Sequence, residues 1–540
     1  MSRSGATLAV AVPTGMLAAH GWLYGRWIVD DAAITFAYAR SIASGLGPVL
    51  QRGADPVEGY SNPAWLGLLV AGRWLGLFDH GSWLGVPDVV AYPKLLGLLS
   101  AVGVFVCFHL TARALTSRPA LVTIGAGTAL ACTPSFAIWT FSGLENGLLA
   151  FAVAGLAAVV AHAAAGCRLH CLGPAVACGL FAALASLTRP DGVIYAGVYP
   201  LVVLVLLRAG QFSRAAAAVA VSTVAFAVPT GLYLGWRIST FGEFLPNTAL
   251  AKSQGLPDLD SLHRPVELVS YLGWPAVLIA TGMVALALAR PWPGRAGLVA
   301  LSVPLVLAIA AFAVLNADWM GEYRFATPVW TLATLTSAVA SARVLPTLAV
   351  PSRTVVAALA VAAAAVSSGT LIDAARAFRT APTAPLCLVA ANTGDNIAGY
   401  ARIVGAARAT VLAPDVGGAA LVSPVRIVDL AGLTDAAMAG FWHRQDWGGL
   451  RNHVFDEVRP TFIKSHGGWS TITGLVTDPR LTNRYAEIGS TGGSTDWVRR
   501  DLVGELRLAQ LRSYHREVAE PRDLAMRQMP RCFCALPSHA

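Results

Sequence analysis

Two adjacent carboxylates, Asp30 and Asp31, directly follow the apolar segment Trp27–Val29. Like charges placed side by side raise the pKa of one partner, and a carboxylate whose pKa is shifted toward neutrality suits a general base. An acidic pair is equally typical of a solvated helix start, where carboxylates interact favourably with the first backbone amides. The residue types therefore predict either a base for proton transfer or the N-terminus of a helix.

Polar and charged side chains of both signs occur in other segments next to apolar runs. The candidates are Glu58, Tyr60, Glu145, Arg189, Asp191, Asn247, Lys252, Asp318, Tyr323 and Arg324. Cations at such places favour an anionic ligand, such as the phosphate of a lipid carrier, which they bind by charge-assisted hydrogen bonds. The alternative for Arg324 is an ion pair with Asp318 or Glu322. We expect Glu145, Arg189 and Asp191 to share one polar cavity.

Composition indicates that these residues belong to a membrane protein. The chain of 540 residues is 55% hydrophobic and 13% charged, with a mean hydropathy of +0.59, whereas soluble domains are about 45–50% apolar. The net charge is +9, but the basic residues are scattered and form no patch. We therefore expect membrane lipids and no nucleic acid among the partners.

Eleven apolar runs are long enough for a helix that crosses the hydrocarbon core, which takes about 20 residues. They lie at 5–24, 92–112, 119–139, 147–165, 171–188, 192–208, 215–236, 269–289, 296–315, 325–343 and 354–371. If Arg3 is cytoplasmic, every second loop carries arginines, as the positive-inside rule requires. This alternation places the candidate residues on the outer side. The run Ala64–Phe78 contains Arg73 and is better explained as an interfacial helix, with Asp31–Ser44 as a second one.

The sequence thus predicts a polytopic α-helical membrane domain over residues 1–373, whose first outer loop spans 25–91, followed by a soluble α/β outer domain over 374–540. Strand-like pieces at Ala409–Leu412 and Val425–Leu430 belong to the second domain. Its tryptophans are candidates for glycan stacking or for core packing. If this domain is extracytoplasmic, Cys387 is a candidate to pair with Cys532 or Cys534.

Several segments together resemble the GT-C superfamily of polyprenyl-phosphate-sugar-dependent glycosyltransferases. They are Asp30–Arg40, Gly45–Val49, Pro56–Trp65, Ser142–Glu145, Thr188–Asp191, Leu245–Thr248, Pro414–Gly417 and Val428–Asp435. The double Asp, the Gly-x-Gly-Pro-Val segment, the Val-Glu pair and the Ser-Gly-Leu-Glu segment are most similar to the mycobacterial terminal arabinofuranosyltransferase group. The chain departs from that group in the run Gly59–Pro63 after Glu58, which leaves the donor sugar open.

The resemblance implies a bacterial plasma-membrane enzyme that inverts the anomeric carbon while it moves a sugar from a polyprenyl-phosphate donor to a glycan acceptor. Asp30 is then the expected general base, with Asp31 orienting the acceptor or binding a divalent cation, or the two roles are exchanged. The donor phosphate and sugar are expected at Arg189, Lys252, Arg324, Asn247 and Tyr323. The acceptor and pocket residues are expected to be Glu58, Tyr60, Glu145, Asp191 and Asp318.

Three alternatives stay open. A hexosyltransferase, for example one that uses mannose, differs only in pocket volume and hydroxyl contacts. A transporter or lipid flippase also has many spans, but it predicts ionisable residues near mid-membrane. A structural or assembly subunit would have the same fold with an inactive catalytic site.

Overall fold

The computed structural model describes residues 3–252, 263–406 and 408–528, which are mostly helical. The longer helices are Arg3–Trp22, Asp30–Ala43, Pro63–Trp74, Asp88–Leu115, Pro119–Ala131, Asn146–Ala165, Leu172–Thr188, Phe212–Phe241, Trp274–Ala289, Arg295–Val314, Thr327–Val344 and Val350–Thr380. Shorter helices between them are Pro134–Thr140, Pro190–Gly197, Val198–Val205, Asn247–Lys252 and Arg264–Leu272. Later helices are Leu386–Val389, Asn396–Val404, Gly417–Val422, Ala436–Arg444, Trp447–Asn452, Gly467–Ile472, Pro479–Arg484, Glu505–Tyr514 and Glu520–Gln528.

Every predicted apolar run falls on a helix or on two consecutive helices. Within the described ranges, five helices are long and apolar enough to cross a membrane, and two bent pairs raise the number to seven. A helical protein with several apolar helices is therefore confirmed, but length and composition do not support the expected count of eleven spans. The difference arises partly because two predicted spans correspond to the shorter apolar helices Leu172–Thr188 and Pro190–Val205.

Two other predicted spans are bent. Pro119–Ala131 meets Pro134–Thr140 at 79°, and Arg264–Leu272 meets Trp274–Ala289 at 103°. Each second helix has a proline in its first two positions, and Gly273 between the latter two helices has φ 89°. Thr133 is extended, because proline disfavours a helical conformation in the residue before it. At the second bend, the positive φ of Gly273 interrupts the helix.

The chain packs as two compact units. The unit that we call helical comprises Met1–Tyr24, Lys94–Gly235 and Gly255–Thr380. The unit that we call the sheet unit comprises Gly25–Pro93, Trp236–Gln254 and Ala381–Ala540. Packing thus places the first loop and the C-terminal segment in one unit. The predicted boundary at 373/374 separates a membrane domain from a soluble domain, and it stays a prediction.

The described residues of the sheet unit form seven strands. They are β1 (Ser82–Trp83), β2 (Val86–Pro87), β3 (Thr410–Ala413), β4 (Arg426–Asp429), β5 (Phe462–His466), β6 (Tyr485–Thr491) and β7 (Ser494–Arg499). The last five form one sheet in the order β4-β3-β5-β7-β6. β3 runs parallel to β4 and β5, while β7 is antiparallel to β5 and β6. The two predicted strand pieces coincide with β3 and β4.

Apolar side chains from the sheet and its helices form the core of this unit, with Leu412 and Ile463 fully buried. Trp442 contacts Trp447 and Trp469 at ring-centroid distances of 4.7 and 4.9 Å, and all three pack against this core. Core packing is therefore their observed role. Cys387 is disulfide-bonded, whereas Cys532 and Cys534 lie outside the described residues.

A buried ion pair joins the middle of the sheet. Lys464 on β5 donates to Asp496 on β7 at 2.9 Å, and the Tyr400 hydroxyl donates to the same carboxylate at 3.0 Å. Both charged side chains are only 5% exposed. Removal of one partner would leave the other charge buried without compensation.

We predict that Lys464→Met lowers the free energy of unfolding by about 3–5 kcal/mol, because Asp496 loses its counter-charge. The matched control is Arg459→Met, which breaks the exposed Arg459–Asp501 pair and should cost about 0–1 kcal/mol. Denaturant unfolding of the purified protein, followed by tryptophan fluorescence, measures both changes. Equal stabilities of the two variants would contradict the prediction.

Candidate functional site

The carboxylate pair lies at the start of the Asp30–Ala43 helix, as one of the two sequence interpretations predicts. Asp30 is 3% exposed. Its Oδ2 accepts a hydrogen bond from the Gly417 amide at 3.1 Å and its Oδ1 accepts one from the Gly418 amide at 2.6 Å. Asp31 is partly exposed. The two neighbours therefore differ in access, and Asp30 connects the first loop to the segment after β3.

Burial raises the pKa of the Asp30 carboxyl well above its ordinary value, and the negative charges of Asp415 and Asp31 act in the same direction. The hydrogen bonds from Gly418 and Gly417 oppose this shift because they stabilise the ionised form. A carboxylate buried beside two others binds its proton more tightly than a solvated one.

Glycine is required where the Asp30 carboxylate meets the chain. A Cβ atom at Gly417 would lie 2.0 Å from the Asp30 carbonyl oxygen. A Cβ atom at Gly418 would lie 2.3 Å from the Leu386 carbonyl oxygen. Only hydrogen atoms at both positions allow the two amides to approach the carboxylate.

The Glu58–Tyr60 segment packs in the same unit. Glu58 is 2% exposed and forms a two-pronged ion pair with Arg237, at 2.5 Å to Nε and 3.1 Å to Nη2. Tyr60 packs edge-on against Tyr38 at 5.1 Å. Gly59 lies against Tyr38 and Thr434, and a Cβ atom there would approach both within 2.7 Å. Gly59, in the run that departs from the arabinofuranosyltransferase pattern, thus has a packing reason.

Asn247 uses its side-chain amide within the sheet unit. Its Nδ2 donates to the carbonyl oxygens of Gly432 at 2.7 Å and Leu433 at 3.0 Å. Asp429, at the end of β4, caps the same loop with both carboxylate oxygens, and burial raises its pKa to about 7. Lys252 is exposed at the end of the Asn247–Lys252 helix.

The helical unit contains a second group of charged residues. Arg189 donates to Asp191 at 2.9 Å and to Glu145 at 3.2 Å, so the three residues expected in one polar cavity do lie together. Arg324 pairs with Asp318 at 2.6 Å, which is the ion-pair alternative. The two guanidinium groups also contact the Phe325 ring, at 4.5 and 5.0 Å from its centroid.

The loop that carries Arg324 has an unusual backbone. Glu322 and Tyr323 are consecutive non-glycine residues in the left-handed region, with φ of 45° and 46°. The Glu322 carbonyl oxygen accepts hydrogen bonds from the Ser135 hydroxyl at 2.7 Å and the Trp139 indole at 2.9 Å. Such conformations cost about 1–3 kcal/mol each and persist where the surroundings hold them. The backbone of this loop therefore fixes the position of Tyr323.

The sequence interpretation missed two basic residues. Arg237, one residue after the apolar run 215–236, is the partner of Glu58. Lys94 begins another run, and its Nζ is buried and has no hydrogen-bond partner among the described residues. Its nearest aromatic contact is Phe141, at 6.0 Å. Both residues could have been found from the sequence, since the predicted topology places them at the outer ends of spans, where a cation runs against the positive-inside rule.

The structure therefore distributes the predicted residues over two groups. Those in the sheet unit are Asp30, Asp31, Glu58, Tyr60, Asn247 and Lys252, and those in the helical unit are Glu145, Arg189, Asp191, Asp318, Tyr323 and Arg324. Within the described ranges, no three side chains of His, Cys, Asp or Glu are arranged to hold a metal ion.

No protein-family model matches the sequence, and no curated protein is significantly similar to it. Solved structures do match. ArnT from Cupriavidus metallidurans bound to undecaprenyl phosphate has a TM-score of 0.58 and 15% identity, over 93% of this chain and 100% of that one. The archaeal oligosaccharyltransferase AglB from Archaeoglobus fulgidus, in complex with an inhibitory peptide and a dolichol-phosphate, has a TM-score of 0.52 and 11% identity, over 95% and 77%.

The arabinofuranosyltransferase AftD from Mycobacteria has a TM-score of 0.50 and 16% identity, over 92% of this chain and 40% of that one. This chain shares the fold of these GT-C glycosyltransferase structures. The fold expected from the first-loop segments is thereby confirmed, while a narrower likeness to the terminal arabinofuranosyltransferases is not shown at these identities.

We predict that Gly417→Ala disrupts the Asp30 contact, because the new methyl group would overlap the Asp30 carbonyl oxygen. Overpacking of this kind costs about 1–3 kcal/mol of stability. Gly504→Ala is the matched control, since a Cβ atom there meets no other atom within 4 Å. Thermal unfolding of the two variants measures the difference, and a Gly417→Ala protein as stable as the control would contradict this packing.

Proposed function

We propose that this chain is an inverting membrane glycosyltransferase that moves D-arabinofuranose from a polyprenyl-phosphate donor to a glycan acceptor of the cell envelope. The fold supports the reaction class, since ArnT was solved with undecaprenyl phosphate and AglB with a dolichol-phosphate. The arabinose assignment rests on the motif resemblance and on the fold of AftD. A hexose donor is the alternative within the same reaction.

The observation that carries the proposal is the Lys94 amino group, whose Nζ is buried and has no hydrogen-bond partner among the described residues. A buried amino group without a partner is costly, and an anionic ligand would both accept its hydrogen bonds and stabilise its charged form. The phosphate of a lipid carrier meets this requirement, and its lipid chain remains in the membrane. We propose Lys94 as a ligand of the donor phosphate. Arg189 and Arg324, which face carboxylates in this structure, are the further candidates in the helical unit.

Asp31 is the proposed general base. Both oxygens of Asp30 accept backbone amide hydrogen bonds, so this residue is better suited to orient the helix start, whereas Asp31 is partly exposed. Asp31 takes the proton of the acceptor hydroxyl, and the hydroxyl oxygen attacks the anomeric carbon. The bond from that carbon to the phosphate oxygen breaks, and polyprenyl phosphate leaves with the bonding electrons. Attack opposite the leaving group inverts the configuration.

The remaining candidates take supporting roles in this proposal. Glu58, held by Arg237, and Tyr60 line the acceptor side, while Lys252 is a further cation of the sheet unit. Asn247 positions the loop after β4, because its donors are used by backbone carbonyl groups. In the helical unit, Glu145, Asp191, Asp318 and Tyr323 hold the two arginines and the loop that carries them.

We also propose that the sheet unit lies outside a bacterial plasma membrane. The disulfide at Cys387 supports this location, since disulfides persist in oxidising compartments. The arginine alternation along the sequence gives the same orientation.

We predict that Asp31→Asn lowers the rate of sugar transfer about 10²–10⁴-fold, the usual contribution of a general base. The assay follows transfer from radiolabelled polyprenyl-phosphate arabinose and, in parallel, from the mannose carrier. Asp55→Asn is the matched control, because Asp55 lies in the same loop and its side chain is 89% exposed. Unchanged turnover in Asp31→Asn would refute its role as base.

We predict that Lys94→Met raises the KM for the lipid donor and lowers kcat, with a combined loss of about 10²–10³-fold, as for other groups that stabilise a developing negative charge. Lys94→Arg should retain part of the activity because it keeps the charge. If Lys94→Met leaves the donor KM unchanged, Lys94 does not bind the phosphate. Transport of the lipid donor across the membrane, without formation of a glycosidic bond, would instead favour a flippase.

A further inference from the structure

The parallel strands β3, β4 and β5 of the sheet unit have their carboxyl ends at the same edge of the sheet. At this edge, a histidine at the end of one strand and an aspartate after another lie close together. His466 is the last residue of β5, and Asp415 follows β3 by two positions. The His466 Nε2 atom lies 2.8 Å from the Asp415 Oδ2 atom. The ends of neighbouring parallel strands thus bring together two residues that are 51 positions apart in the sequence.

Stability does not explain this pair. The side chains of His466 and Asp415 are 25% and 28% exposed, and exposed ion pairs contribute about 0–1 kcal/mol. The Lys464–Asp496 pair, two residues earlier on β5, is buried and serves the core. A partly exposed pair at the carboxyl edge of a sheet is instead typical of ligand binding, because open α/β sheets bind ligands outside the carboxyl ends of their strands.

The same edge holds the carboxylate pair of the first loop. Asp415, Gly417 and Gly418 belong to one short segment after β3, and the two glycine amides bind Asp30. Asp415 is near enough to Asp30 for its charge to act on that carboxyl. A ligand that contacts His466 and Asp415 therefore lies next to the segment that binds Asp30.

The pair has the hydrogen-bonding character that a sugar requires. If neutral His466 donates its Nε2 proton to Asp415, its Nδ1 atom is an acceptor. Nδ1 makes no hydrogen bond with any residue in the described part of the chain, so it is available to a hydroxyl group. The second oxygen of Asp415 provides another acceptor. Two acceptors fixed beside each other suit neighbouring hydroxyl groups of a neutral saccharide.

We propose that the His466–Asp415 pair binds the acceptor glycan through its hydroxyl groups and positions it beside Asp31. This inference rests on the proposed function and adds the location of the acceptor. His466 acts here as a positioning residue, since it binds the acceptor and leaves proton removal to Asp31.

The test measures acceptor binding apart from transfer. Short arabino-oligosaccharides, and manno-oligosaccharides as a second probe, are titrated into the full-length protein in lipid nanodiscs without donor, with calorimetry as the readout. We expect His466→Phe to weaken binding of the preferred oligosaccharide about tenfold, the effect of one lost hydrogen bond. Asp415→Asn should weaken it in the same direction, because the histidine loses its orienting carboxylate.

His453→Phe is the matched control. His453 forms another His–acid pair in the sheet unit, at 2.7 Å from Glu457, and we expect it to leave binding unchanged. In transfer assays, His466→Phe should raise the acceptor KM about tenfold while the donor KM and kcat stay within about twofold of the parent protein. A purely structural role would change all three constants.

Several outcomes would overturn the inference. Equal binding by His466→Phe and His453→Phe shows that the acceptor lies elsewhere. Absence of binding by the parent protein to either probe does so as well. Failure of the proposed function is recognised separately, because the parent protein then binds an oligosaccharide but transfers no sugar from any polyprenyl-phosphate donor.

Discussion

The hydrogen bonds from the Gly417 and Gly418 amides to the Asp30 carboxylate connect the first loop to the segment after β3 in the sheet unit. They join residues that are 387 and 388 positions apart and bring the first loop to the carboxyl edge of the sheet. The two glycines are a condition for this contact, since any side chain at Gly417 would overlap the backbone of Asp30. Asp31 and Asp415 lie next to this contact in the sequence, and His466 meets Asp415 at the end of the neighbouring strand.

Burial of charge imposes a second constraint. Charged side chains buried in the protein are costly unless they are paired, and most of those described here have a partner of opposite charge. Arg189 and Arg324 have carboxylates in the helical unit, and Arg237 has Glu58 in the sheet unit. The Lys94 amino group has no hydrogen-bond partner among the described residues, which is why we propose a ligand there, whereas stability alone would explain the paired arginines.

Local patterns predicted much of the fold. Apolar runs predicted the positions of the helices, and short segments with strand-like patterns predicted β3 and β4. Composition could not show the breaks before Pro134 and at Gly273, because they depend on backbone conformation. Charged segments at the ends of neighbouring apolar runs correctly grouped Glu145, Arg189 and Asp191. The contact of Asp30 with Gly417, and the meeting of His466 with Asp415, could not be predicted, because both depend on the long-range order of strands.

The central claim is inverting transfer of a sugar from a polyprenyl phosphate. The most direct measurement is the anomeric configuration of the product that the purified protein forms in lipid from a polyprenyl-phosphate sugar of known configuration and an oligosaccharide acceptor, determined by NMR. The account predicts a new glycosidic bond of the opposite configuration, with polyprenyl phosphate released in equal amount. A product that retains the donor configuration, or a folded protein that forms no glycosidic bond with either the arabinose or the mannose carrier, would contradict it.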